Sequence, residues 1–181
     1  MNTDKIFLAS LGLGWWSDVL ADAVQRAPGV EIVTCFSRSE EKRVNFAKKY
    51  GCEAANSYEE ILANPAVHGI INTTPNNIHL ETTRLAADAG KHIFLDKPIA
   101  NTVAEGFEIA DICAKASVKL SIGFQRRREN QFRWIKNKIE SGDFGIIVQA
   151  ESNISRDRLG KFEAGHWRYS SEGMPGGVML Q

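Results

Sequence analysis

Ile6-Phe7-Leu8-Ala9-Ser10-Leu11-Gly12-Leu13-Gly14-Trp15-Trp16-Ser17 decides how the rest of the chain is read. A short apolar run ends in two glycines two residues apart, and an amphipathic run follows from Asp18. This is the pattern of a strand, a tight turn and a helix start. Gly12 permits a sharp turn, and Gly14 lets backbone approach a pyrophosphate where a Cβ would collide. The unpaired N–H groups and dipole of the following helix favour phosphate charge. Ser17 stands where a third glycine is usual, and it is small enough for close helix–strand packing. Two glycines alone mark an ordinary turn. Their position near the N-terminus, after a strand and before a helix, makes them a dinucleotide-binding signal.

Outward from this stretch, strand-like and helix-like runs alternate, which predicts an α/β fold with a parallel sheet covered by helices. The first helix is predicted from about Ser17 to Arg26, ending before Pro28-Gly29. Val30 to Phe36 reads as a β-branched second strand. Ser39 is placed to cap a helix that ends at Gly51, and Ser57-Tyr58-Glu59-Glu60 resembles a capping box. Gly69 to Asn72, His92 to Leu95 and Lys119 to Ile122 are three further strands, with helices over Thr74–Gly90 and Thr102–Lys115 between them. After Gly123 the pattern changes. Arg127 to Ser141 has Phe132, Ile135 and Ile139 at helical spacing, and Ile146 to Ile154 reads as a longer strand. The predicted organisation is a dinucleotide-binding domain over residues 1–122 and the incomplete start of a second domain over 123–181.

Composition narrows the function classes. Of 181 residues 43% are hydrophobic, and Lys plus Arg equals Asp plus Glu at 22 each. No global field favours nucleic acid or an anionic membrane. No signal core is seen, and no apolar stretch approaches the roughly 20 residues of a bilayer span. Cys35, Cys52 and Cys113 form neither a CxxC pair nor a disulfide framework, so they read as small core hydrophobes in a reduced, cytoplasmic protein. The four histidines are scattered without ligand spacing, so no metal site is expected. The absence of a GK[ST] loop removes the P-loop reading.

At Asp96-Lys97-Pro98 the chain resembles the Gfo/Idh/MocA oxidoreductases. The ordered motifs are Gly12-Leu13-Gly14-Trp15-Trp16-Ser17, Thr74-Pro75-Asn76-Asn77-Ile78-His79, Asp96-Lys97-Pro98, Gly123-Phe124-Gln125-Arg126-Arg127, His166-Trp167-Arg168 and Gly176-Gly177-Val178. The resemblance implies a Rossmann-type doubly wound domain followed by an α/β domain with an open, mostly antiparallel sheet. It departs from the family in three places. Asp96 replaces the usual Glu, and Ser17 replaces a glycine. The family's catalytic histidine and nearby acid follow the glycine-rich segment, beyond Gln181, which implies an N-terminal portion of the family pattern.

An acid about 20 positions beyond the glycine turn normally binds the ribose 2′-hydroxyl of NAD. Ser37 and Arg38 stand there instead, and a hydroxyl with a guanidinium suits a 2′-phosphate, so the expected cofactor is NADP, with NAD the second choice. Arg38 has an alternative reading as the start of a solvated helix with Arg43. Thr73, Thr74, Pro75, Asn76 and His79 follow the third long strand, at the carboxyl edge where such sheets bind ligands. The resemblance implies that they line the pyrophosphate and ribose. By chemistry alone Thr74 to Asn76 form a helix N-cap, and a lone His79 is more often a packing residue.

Lys97 is the principal catalytic candidate. It follows an apolar strand, Pro98 restricts its backbone, and a Lys near a substrate hydroxyl stabilises a developing alkoxide or relays its proton. Its ordinary pKa of about 10.4 means that acting as a free base requires a large shift. Asp96 is the candidate to orient it, and Pro98 is counted with the cofactor-facing residues. Trp15 and Trp16 are expected over the pyrophosphate turn. The resemblance places Gln125 near the nicotinamide and Trp167 with Arg168 beside the cofactor. Arg126 to Arg128 are either an attraction for an anionic substrate or a solvated face. The chain thus reads as an NADP-dependent dehydrogenase or reductase for a sugar, cyclitol or related cyclic diol. The alternative is a nucleotide-binding module without turnover. The expected partners are a small-molecule substrate and further copies of the chain through the second domain, where an unpaired strand edge invites association.

Overall fold

The computed structural model describes residues 5–153, 155, 169–171 and 175. Six parallel strands form one sheet in the order β3-β2-β1-β4-β5-β6. They are β1 (Ile6–Leu11), β2 (Val30–Phe36), β3 (Glu53–Ala54), β4 (Gly69–Asn72), β5 (His92–Leu95) and β6 (Leu120–Ile122). The chain starts at the centre with β1, builds outward through β2 and β3, then crosses to β4 on the other side of β1. That crossing is a topological switch point, where loops diverge and open a crevice at the carboxyl ends of the strands. Every residue of β4 is buried, as expected of a central parallel strand covered on both faces.

All but the last of the helices divide between the two faces. They are α1 (Trp15–Arg26), α2 (Glu40–Tyr50), α3 (Tyr58–Ala63), α4 (His79–Asp88), α5 (Val103–Lys115) and α6 (Asn130–Glu140). Leu13, Ala21 and Phe46 pack with Ile32, Cys35 and Ile71 beneath α1 and α2. Tyr58, Ile61, Ala87, Ile109 and Cys113 fill the opposite face with Ile70, Ile93 and Leu95. The ends follow local chemistry. Ser39 accepts from Lys42 N, and Gly51 closes α2 with φ +71°, a left-handed conformation that glycine adopts without strain. Thr102 and Glu105 complete a capping box on α5. Ser57 caps α3, but the Glu60 carboxylate reaches one residue further back, to Asn56 N at 2.8 Å.

Some expectations need correction. The first helix begins at Trp15, two residues earlier than expected, and the two-residue β3 carried too little pattern to be read. Residues 146–153 form no strand. Their side chains are exposed, Ile146 to 90% and Val148 to 92%, and no neighbouring strand among the described residues offers a hydrogen-bond ladder. Apolar, β-branched composition does not make a strand without such a partner. Ile154 lies outside the described residues. α6 forms as predicted, yet it buries none of its side chains, and Phe132, Trp134, Ile135 and Ile139 are each more than 40% exposed. No helix among the described residues is long and apolar enough to cross a membrane.

Helices α1 and α2 are joined by a polar contact between the first two turns of α1 and the last turn of α2. The Tyr50 hydroxyl lies 2.9 Å from Asp18 Oδ1 and 3.0 Å from Asp22 Oδ1, and Lys49 Nζ reaches Asp18 at 3.0 Å. Burial first, opposed by Lys49, pushes the Tyr50 phenol up to about 12. The hydroxyl therefore stays a donor at neutral pH. Tyr50→Phe keeps the ring on Phe46 and removes only this donor, so urea unfolding should show a loss of about 1 kcal/mol.

Candidate functional site

Loops at the carboxyl ends of β1, β2, β4 and β5 enclose a cleft of about 580 Å³. The β1 loop forms its floor. Gly12 has φ +82°, and a Cβ there would lie 2.8 Å from Thr74 N and 2.9 Å from the Thr73 carbonyl carbon. Thr73 holds the approach from the other side, its N–H donating to Leu11 O at 2.8 Å and its hydroxyl to Gly12 O. Gly14 differs. It is extended, and a Cβ there meets nothing within 4 Å, so no protein packing demands a glycine. It is also the N-cap of α1 with no side-chain cap, which leaves the first helical N–H groups directed at the cleft. The Ser17 hydroxyl donates to Gly14 O at 2.6 Å and is itself buried, so it tightens the turn in place of a third glycine.

Trp16 and Asp96 connect the β1 and β5 loops. The Trp16 indole N–H donates to Asp96 Oδ1 at 3.0 Å, and the exposed Trp15 packs edge-on to Trp16 with ring centroids 5.2 Å apart. Burial raises the Asp96 carboxyl above its ordinary range, against the lowering effects of the Lys97 N–H, the Lys97 charge and the Trp16 N–H. Gly123, from the segment after β6, keeps room for it, since a Cβ there would lie 3.2 Å from Asp96 Oδ1. Lys97 follows in the cleft wall, half-buried. Pro98 lies buried behind that wall, away from the cleft.

The β2 loop forms the rim. Phe36, Ser37, Arg38 and Ser39 line it. Arg43 braces this loop from behind, donating to Ser37 O at 2.8 Å and lying 5.6 Å over the Phe36 ring. The pairing of Arg38 with Arg43 on one solvated face is therefore corrected: Arg43 is part of the scaffold, and Arg38 is exposed at the rim. Lys42, not singled out from sequence, lines the same wall one helical turn after Arg38. The signal that could have found it is the i, i+4 spacing from Arg38 into the first turn of α2.

In the β4 loop the organiser is Asn72, also missed. Its Oδ1 accepts from Thr74 N at 3.1 Å and Thr74 Oγ1 at 2.7 Å, while its Nδ2 donates to Thr82 Oγ1 at 2.8 Å. Thr74 to Asn76 do not cap a helix by their side chains. The chain makes a 3-10 turn over Asn76–Ile78, and Ile78 precedes α4 without a side-chain cap. Thr73, Thr74, Pro75 and Asn76 line the cleft, and Asn76 Nδ2 is buried with no protein partner. His79 is a correction. It is fully buried, with Nδ1 3.0 Å from Pro98 O and Nε2 3.0 Å from Thr74 O, so it reaches no ligand space. Burial lowers its pKa despite these contacts. It ties the β4 and β5 loops together.

Gln125 lies in an exposed 3-10 turn over Gln125–Arg128 and does not line the cleft. Arg126 to Arg128 are exposed as well. Trp167, Arg168 and the glycine-rich segment at 176–178 lie outside the described residues.

The cleft fits a dinucleotide. The uncapped start of α1 beside Gly14 suits a pyrophosphate, the orphaned Asn76 amide is a donor without a partner, and Ser37, Arg38 and Lys42 give the rim a hydroxyl and two cations. The family model for GFO_IDH_MocA, "Oxidoreductase family, NAD-binding Rossmann fold", matches residues 8–124. A scyllo-inositol 2-dehydrogenase (NADP(+)) of Bacillus subtilis is 32% identical over 161 residues, covering 87% of this chain and 44% of that protein. A candidate NADPH-dependent oxidoreductase from Desulfitobacterium hafniense superposes with a TM-score of 0.91 at 33% identity, covering 98% of this chain and 51% of that one. The WlbA dehydrogenase from Bordetella pertussis, in complex with NADH and UDP-GlcNAcA, gives 0.76 at 25% identity, covering 80% of this chain and 42% of that one. The chain spans less than half the length of the curated relatives it matches.

The two glycines separate folding from binding. Gly12→Ala should cost about 1–3 kcal/mol in thermal unfolding, because the Cβ has no room and φ is positive. Gly14→Ala should cost about 1 kcal/mol or less and act instead on nucleotide affinity; equal stability losses at both positions would sink this account. Asp96 makes stability depend on pH. A carboxyl with a raised folded pKa binds its proton more readily in the folded state, so stability falls as pH rises from about 3.9 through the raised value. Asp96→Asn should therefore melt higher than the parent chain at pH 7, and the two should converge in acid.

Proposed function

Because the chain belongs to the Gfo/Idh/MocA oxidoreductase family, we propose that it is the nucleotide-binding part of an NADP-dependent dehydrogenase or reductase acting on a C–OH or C=O of a sugar, cyclitol or related cyclic diol. The observation that carries the cofactor choice is the end of β2, where Ser37 and Arg38 stand on the cleft rim and no acid does. An acid there would accept the ribose hydroxyl of NAD and repel a 2′-phosphate. Arg38 and Lys42 attract that phosphate instead. The substrate class is supported by the scyllo-inositol dehydrogenase and by the nucleotide-sugar acid bound to WlbA.

The nicotinamide, when bound, exchanges a hydride with the substrate carbon. The chain's own residues handle position and protons. The Gly12–Gly14 turn and the start of α1 fix the pyrophosphate, and the Asn76 amide donates to the cofactor. Lys97 stands in the wall at the end of β5, where its ammonium stabilises the developing alkoxide or takes part in passing the hydroxyl proton. Asp96, fastened by Trp16, sets the backbone from which Lys97 projects. Trp15 and Trp16 cover the turn. Trp167 and Arg168 stand beside the cofactor in this reading, and the second domain carries self-association.

Tryptophan fluorescence from Trp15 and Trp16 gives the test. Titration with NADPH and NADH side by side should show NADPH preferred by roughly 10- to 100-fold, one charge-assisted hydrogen bond's worth. Arg38→Ala should abolish that preference without removing NADH binding. Preference for NADH in the parent chain would overturn the cofactor assignment. Lys97→Ala should lower turnover about 10²- to 10⁴-fold while leaving nucleotide affinity within twofold.

A further inference from the structure

Of the large apolar side chains lining the cleft, Trp15 alone is exposed among the described residues, to 68%. An indole left in water forgoes the burial that makes tryptophan valuable in a core. Its position is fixed all the same. Trp15 is the first residue of α1, and its ring meets that of Trp16 at an interplanar angle of 70° with centroids 5.2 Å apart. Such an edge contact covers at most one face of each ring, so one face of Trp15 stays open. The two indoles also differ in their polar handles. Trp16 donates its N–H to Asp96, whereas the Trp15 N–H has no partner among the described residues. The Trp16–Asp96 bond joins the β1 and β5 loops, and it locates Trp15. Trp15 and Lys97 are each one residue away from this 3.0 Å contact, and both line the cleft. Consecutive α-carbons are only about 3.8 Å apart, so the open indole and the lysine border the same stretch of the mouth.

We propose that Trp15 is a substrate-contact residue that selects for a ring: its open face stacks on the C–H face of a sugar or cyclitol, its N–H donates to a ring hydroxyl, and the reacting hydroxyl is turned toward Lys97. The substrate class rests on the dehydrogenase reading above. A six-membered ring with equatorial hydroxyls carries its polar groups around the rim and its C–H bonds on the two faces. It therefore has an apolar surface that an indole can cover and so remove from water. An open-chain polyol of the same length has no such face. Ordering costs are small, because a tryptophan has only two side-chain torsions and Trp16 already holds this ring. Trp16, with its donor committed to Asp96, stays with the pyrophosphate turn.

Saturation-transfer NMR on the folded chain tests this with two six-carbon polyols, scyllo-inositol and the acyclic D-mannitol, each titrated with and without saturating NADPH. The parent chain should pass saturation to the C–H protons of scyllo-inositol and bind D-mannitol at least about fivefold more weakly. Trp15→Ala should weaken scyllo-inositol binding about five- to tenfold and leave D-mannitol unchanged. Trp15→Phe keeps a ring and should lose less, and nucleotide affinity should stay within about twofold in both variants. No transfer in the parent chain, equal binding of the ring and the open-chain polyol, or scyllo-inositol binding that Trp15→Ala leaves intact overturns the inference. A nucleotide affinity that falls in Trp15→Ala while scyllo-inositol binding holds makes Trp15 a cofactor cover and overturns it too. Trp15-dependent binding of scyllo-inositol in a chain that takes neither NADPH nor NADH upholds the contact and overturns the dehydrogenase reading, so the two fail separately.

Discussion

Gly12 lies so close to the peptide joining Thr73 and Thr74 that no side chain fits between them. This contact sets the distance between the β1 and β4 loops, and Thr73 locks it with donors to Leu11 O and Gly12 O. The loop from β1 then has one direction left to it, over the sheet edge and into α1, so the unpaired N–H groups of that helix face the crevice at the switch point. The β4 loop, pinned by Asn72 and His79, becomes the opposite wall. The rest of the site is built around this spacing.

A second constraint runs across the cleft through a charge. Asp96 is partly desolvated, which works against keeping it ionised, and two N–H groups and the Lys97 ammonium offset only part of that. The side chain is held where its hydration is poor. Trp16, from the first turn of α1, is one of the groups holding it. The pyrophosphate turn and the Asp96-Lys97-Pro98 segment are thereby mechanically connected, although 80 residues separate them in sequence. His79 makes a parallel connection from below, between Thr74 O and Pro98 O. A neutral imidazole donates from one ring nitrogen only, so it grips one of these carbonyls at a time.

Much of the sheet was legible because its strands are short apolar runs punctuated by glycine, proline and capping residues. Ser39, Gly51 and Thr102 act locally, and local chemistry is written in sequence. β3 was not legible, since two residues carry no period. The supposed strand at 146–154 misled because composition records a tendency, whereas pairing depends on a distant partner. The site divides along the same line. Gly12, Gly14, Ser37, Arg38, Thr73 to Asn76, Asp96 and Lys97 were found through motif and position, and all line the cleft. Asn72 was missed and Arg43 misread because their work is to hold other residues, through contacts that no spacing rule reveals. His79 was misjudged for the converse reason. Its place beside a motif hid the fact that both ring nitrogens turn inward.

The segment from Ser37 to Gly51 has a property with practical weight. Its start is braced by Arg43 from within the same segment, its helix is capped at Ser39, and Gly51 ends it without strain. Its far half is anchored elsewhere, through Tyr50 and Lys49 to α1 and through Phe46 to the core, but among the contacts described Ser37, Arg38 and Lys42 touch neither Gly12 nor Asp96. The rim residues alone behave as an exchangeable set. Evolution or an engineer can rewrite the residues at 37, 38 and 42 while the floor of the cleft stays put, so long as the bracing cation at 43 travels with them.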